Sequence, residues 1–225
     1  MQYKNLILIG SSHVSSDSIN QVNRTIAEEK PGIVAIELDR DRLHALFSQK
    51  KHGIFVRGVG FKGMLFAALG AWAERHIGKI VKVEPGSEMK AAVIAAKNNN
   101  AMIALIDQHI NKTLRRFSET ITWTEKMRFL VDIVSGIFTP NRHLKKLKVK
   151  KQDLAKVPSK ETIKALLSFV KERYPNFYKV LVEERNVVMA NNLIHIMKTH
   201  PKEKVVAIVG AGHEEGMMSI IKKAI

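Results

Sequence analysis

LILIGSSH at residues 6–13 and VAIVGAGH at residues 206–213 share one plan: four apolar residues, a glycine, two small residues and a histidine. A short apolar run with no polar alternation reads as a strand buried on both faces, as parallel sheets require. The glycine lets the chain turn sharply as the strand ends. Two further runs of this kind are IVAIEL at 33–38 and MIALI at 102–106. Between the first two strands a helix is expected from Ser15 or Ser16 to about Lys30, broken by Pro31-Gly32. A second follows to Gln49, a third runs from Pro85-Gly86-Ser87 to Lys97, and a long one from about Tyr178 to Lys198 precedes the last strand. Strands alternating with helices predict an α/β fold: a mostly parallel central sheet flanked by helices.

The α/β pattern is interrupted twice and resumes each time. Residues 54–84 and 111–180 carry helical periodicity and no strand, with Pro140, Pro158 and Pro175 as punctuation. They are expected to be helical insertions within one α/β domain spanning 1–225. Phe61 to Trp72 is the most apolar part of the first insertion and is expected in the core or in a homo-oligomer contact.

Composition removes several classes. The chain of 225 residues has no cysteine, which excludes disulfides, cysteine-ligated zinc, iron–sulfur clusters and thiol nucleophiles. The opening MQYKNLILIGSSH has an apolar run of four residues, short of the ~7–15 of a secretory core. No stretch reaches the ~18 apolar residues of a transmembrane helix. A cytoplasmic or membrane-associated location is therefore expected. The net charge of +16 favours anionic partners. It is densest at Arg142–Lys151, RHLKKLKVKK, where a nucleic acid or an anionic membrane could bind and a solvated helix face is the plainer reading.

The chemistry is expected at the strand ends, because open parallel sheets bind ligands beyond the carboxyl edge. There the four strands deliver Gly10-Ser-Ser-His13, Glu37-Leu38-Asp39, Asp107 and Gly210-Ala-Gly-His213. Two histidines with carboxylates suit a divalent metal ion held by nitrogen and oxygen, with His13, His213 and Glu37 as ligands. Ordinary roles compete: a salt bridge to a buried arginine for Glu37, a helix N-cap for Asp107. The remaining histidines, including His44, His109, His195 and His200, sit in helical or basic surroundings and read as surface residues. Other catalytic motifs fail. Gly-Ser-Ser-His is not a nucleophile elbow, no P-loop is present, and Met217 breaks any His-Glu-x-x-His match.

The ordered set GSSHVS (10–15), AIELDRDR (35–42), PGSEMKAAVIAAK (85–97), IALID (103–107), TLRR (113–116), EERNVVMANNL (183–193) and VVAIVGAGHEEGM (205–217) resembles the TraB/PrgY family. That family includes pheromone-shutdown proteins and is grouped with the Tiki metalloproteases, GumN proteins, erythromycin esterases and haem-binding ChaN proteins. The resemblance implies one pocket holding His13, His213, Glu37 and Arg185, with Glu88 and Arg116 on further family motifs. It implies a metal-dependent, peptidase-like hydrolase that acts on a peptide signal. The alternative it leaves open is a non-catalytic module that sequesters a peptide or a haem-like ligand. In the hydrolase reading Glu37 or Glu88 ligates the metal or takes the proton, and Arg185 or Arg116 stabilises the oxyanion. Two stretches depart from the family pattern. Asp107-Gln108-His109 stands where Asp-Arg-Asp is usual. Asn186 and Met189 stand where an aspartate and a tyrosine are usual.

Overall fold

The computed structural model describes residues 1–11, 16–48, 86–138 and 160–225. In chain order the elements are β1 (Gln2–Tyr3), β2 (Leu6–Ser11), α1 (Ser16–Glu29), β3 (Ile33–Ile36), α2 (Arg40–Phe47), α3 (Ser87–Asn98) and β4 (Met102–Leu105). Then come α4 (Ile110–Thr120), α5 (Trp123–Phe138), α6 (Lys160–Arg173), α7 (Pro175–Tyr178), a π turn (Lys179–Glu183), α8 (Glu184–Thr199), β5 (Val205–Gly210) and α9 (Ala211–Ala224). The expected insertion at 54–84, including Phe61 to Trp72, and the basic stretch Arg142–Lys151 lie outside the described residues, as does His13.

The sheet order is β1-β2-β5-β3-β4. The four strands read from the sequence are all present and all parallel to their neighbours. Only β1 is antiparallel, a two-residue edge pairing Gln2 with Ile7. It is too short to leave any periodicity in the sequence. The last strand enters the middle: β5 pairs with β2 on one side and β3 on the other.

Side-chain alternation along β5 builds two cores. Val205, Ala207 and Val209 face α8 and α9, where they meet Met189, Leu193, Met217 and Ile221. Val206 and Ile208 face α1 and α3, where they meet Val22, Ile26, Met89 and Val93. Every residue of β3 and β5 is buried, so both strands are apolar throughout. The start of α3 depends on Gly86, whose φ of 82° is a left-handed conformation that glycine adopts without strain.

This layering positions the site. Adjacent strands β2 and β5 end side by side, with Ser11 paired to Gly210. After β2 the chain goes to the α1 face, and after β5 to the α9 face. Neighbouring strands whose connections leave on opposite faces open a crevice at their carboxyl ends. A helix leading into a parallel strand runs against it, so α3 and α8 also begin at this edge.

Candidate functional site

Glu37 follows β3 directly, and its backbone N–H donates to the Ile208 carbonyl at 3.1 Å. That bond holds its side chain beside the end of β5. One carboxylate oxygen accepts the Gly210 N–H at 2.5 Å, where α9 begins. Helix N-termini carry exposed N–H groups and a positive field, so a buried anion is stabilised there. The other oxygen accepts from the Arg185 guanidinium. The salt bridge to a core arginine that the strand position suggested is therefore present, and its partner is Arg185.

Arg185 is the second residue of α8, two residues after the π turn ends. Its Nη2 donates to Glu37 and, at 2.6 Å, to Asp107. Its Nη1 lies 3.3 Å from His213 Nε2. Two carboxylates hold this guanidinium fully protonated, well above its ordinary range against the opposing effect of burial.

Asp107 does not cap a helix. His109 caps α4, its ring Nδ1 accepting the Asn111 N–H. The Asp107 side chain is drawn instead to two cations, Arg185 and Arg42, the latter at 2.6 Å. Arg42 is fixed in turn by Asp39 at 2.7 Å. The Asp39 carboxylate caps α2 through the N–H groups of Asp41 and Arg42 and accepts the N–H of Ile110. It thereby ties α2 to α4. Three carboxylates thus face two guanidinium groups, which leaves this cluster with one excess negative charge while His213 is neutral.

His213 sits in the first turn of α9 and is 7% exposed. Its Nδ1 lies 2.6 Å from Asn186 Oδ1, and its Nε2 lies 3.4 Å from Glu37 Oε1. The structure thus joins three of the expected site residues, Glu37, Arg185 and His213, with the strand-end carboxylates Asp39 and Asp107. It adds Arg42 and Asn186. Arg42 and Asp39 were legible as part of AIELDRDR, but nothing in the sequence shows that Arg42 reaches across to β4's end. Glu88 is buried in the first turn of α3, on the opposite face of the sheet from α8 and α9. Arg116 is held on α4 by Glu184 at 2.7 Å and by Glu119 at 3.7 Å, with its side chain 41% exposed. Its ion pairs among the described residues do not reach the cluster. His44, His109, His195 and His200 are exposed, as expected of surface histidines.

Among the described residues no three histidine, aspartate or glutamate side chains form a group able to hold a metal ion. His213 and Glu37 supply two donor atoms, and Arg185 donates to both. A divalent ion there would face the guanidinium at close range, so these residues as arranged do not fit a metal. Nor is any helix among the described residues long and apolar enough to cross a membrane.

Fold and site define a class: an open parallel α/β protein with a histidine, a glutamate and an arginine joined at the strand ends. Residues 2–224 match the model of the TraB/PrgY/gumN family, and the chain belongs to that family. It is 33% identical to uncharacterized protein MJ1365 of Methanocaldococcus jannaschii over 97% of this chain and 53% of that protein. It is 24% identical to the TraB domain-containing protein of Homo sapiens over 93% of this chain and 61% of that protein. The Mus musculus protein of the same name matches at the same level. The chain thus spans little more than half the length of these relatives.

Proposed function

We propose that the chain is a hydrolase acting on peptide bonds, with His213 as the proton acceptor. The observation that carries this reading is the orientation of the His213 ring. Asn186 holds Nδ1 from behind, and Nε2 faces Arg185 and Glu37 at the strand-end crevice. A base oriented by a third group, next to a fixed cation, is the arrangement that acyl hydrolysis needs. As Arg185 Nη1 leaves Nε2 for the carbonyl oxygen, water attacks the carbonyl carbon and gives its proton to the freed Nε2 lone pair. The oxyanion forms against the Arg185 guanidinium. The leaving amine then takes the proton from Nε2 as the C–N bond breaks. Glu37 holds Arg185 in place, because one of its oxygens is on Arg185 and the other on the Gly210 N–H.

A metal enters this reading only with a third donor and with Arg185 turned away from His213. The third donor the sequence offers is His13, in the Gly-x-x-His motif that follows the apolar run of β2. If bound, the ion would supply an acidified water. The deciding experiment is hydrolysis of a fluorogenic peptide library by the purified chain, with and without chelator. Turnover abolished by His213→Ala and Arg185→Met supports the reading. Turnover unchanged in both variants overturns it. Loss on chelation, with recovery on adding a divalent ion, adds the metal.

A second reading, sequestration of a peptide without turnover, is favoured by one feature. Among the described residues each charged side chain of the cluster already has a partner of opposite charge within it. Peptide binding that survives His213→Ala, with no cleavage by the unaltered chain, would select it.

A further inference from the structure

Asn186 follows Arg185 in the first turn of α8, and the geometry gives it a defined task. Asn186 is 6% exposed and His213 7%, so water does not compete strongly for either side chain. His213 Nε2 faces Arg185 Nη1 at 3.3 Å. Guanidinium nitrogens only donate, so a ring nitrogen bonded to one presents its lone pair, whereas an Nε2–H would turn to Glu37 Oε1, 3.4 Å from the same atom; the hydrogen bond at Nδ1 selects between the two. A neutral imidazole then carries its hydrogen on Nδ1. The group 2.6 Å from Nδ1 must therefore accept, and that is the Asn186 side-chain carbonyl oxygen. The two assignments determine each other, and the Asn186 NH2 is left pointing toward α9.

A second observation comes from the far side of that amide. Gly216 lies inside α9, three residues after His213, in a helical position where glycine costs about 1 kcal/mol relative to alanine. A Cβ there would stand 2.3 Å from Asn186 Nδ2 and 3.3 Å from its Cγ. The amide occupies the space that any other residue at 216 would fill.

We propose that Asn186, cleared by Gly216, is a positioning residue that locks His213 as the Nδ1–H tautomer and presents its Nε2 lone pair to Arg185 at the strand ends. This deepens the reading of His213 as proton acceptor. Its first test is independent of turnover.

The experiment is long-range 1H–15N correlation spectroscopy on the full chain labelled at histidine nitrogens, with His213 assigned by the signals lost in His213→Gln. The expected result at neutral pH is a protonated Nδ1 and an unprotonated Nε2 in the unaltered chain. An Nε2–H tautomer there overturns the proposal without recourse to any variant. Asn186→Asp keeps an acceptor oxygen and is expected to keep Nδ1 protonated. Asn186→Leu and Gly216→Ala are expected to shift His213 toward Nε2–H, and unchanged spectra in both overturn the proposal. On peptide substrate the same two variants are expected to lower kcat about 10- to 100-fold with KM little changed. If the tautomer is as expected but no peptide is cleaved by the unaltered chain, the hydrolase reading fails and the positioning role stands.

Discussion

Arg185 carries the most interactions of any side chain in the site. It bridges Glu37 and Asp107, both nearly fully buried, and touches His213. Removing one partner of a buried ion pair costs more than the pair contributes, because the remaining charges stay desolvated. Arg185→Met is expected to lower unfolding free energy by about 3–5 kcal/mol, measured by urea denaturation. A loss near that of an exposed salt bridge, below about 1 kcal/mol, would show that the carboxylates find other partners. Arg185→Lys retains the charge but not the planar fork that reaches two carboxylates at once. It is expected to recover only part of the stability.

Among the elements, α2 has the most consequential start. Burial opposes ionisation of Asp39, but the Arg42 N–H, the Arg42 guanidinium and the Ile110 N–H outweigh it and hold the carboxyl below its ordinary value of 3.8. A carboxyl lowered on folding stabilises the protein above its unfolded value and loses that contribution as pH falls through the folded value. Stability is therefore expected to decline below about pH 4, with Asp39→Asn less stable at neutral pH and less acid-sensitive. Equal slopes of stability against pH in the two proteins would refute this. The π turn before α8 is the other telling element. Such turns are rare and frequent at functional sites, and this one ends two residues before Arg185 and three before Asn186.

At the level of the whole molecule, the placement of β5 has the largest consequence. β2 and β3 do not pair with each other; each is bonded to β5. Removing residues 205–225 takes out the centre of the sheet and leaves both cores open. The shortened chain is expected to lose cooperative thermal unfolding and near-ultraviolet circular dichroism. A retained cooperative transition would contradict the strand order. The charge of +16 also belongs to this scale. If Arg142–Lys151 meets anionic surfaces, co-sedimentation with phosphatidylserine-containing vesicles should weaken markedly between low and physiological salt, and binding insensitive to salt would count against it.

Strand identity, parallel direction and the histidine that follows β5 were legible in the sequence. Apolar runs ended by glycine are local patterns, and burial on both faces leaves a local signature. The involvement of Glu37 was legible for the same reason, since a carboxylate ending an apolar strand demands a partner. No local pattern showed which partner, and only the family resemblance placed Arg185 in the same pocket: it lies 148 positions away in the chain, and the packing of α8 beside β3 and β5 brings it to Glu37. The same holds for Asp107, which local rules assign to a helix cap and the fold assigns to two arginines. It also holds for Asn186, which the sequence marks only as a departure and the fold places against the His213 ring. The paired Gly-x-x-His motifs at residues 10–13 and 210–213 were thus visible from the chain alone. What the second of them touches was decided by side chains that only tertiary packing brings within hydrogen-bond distance.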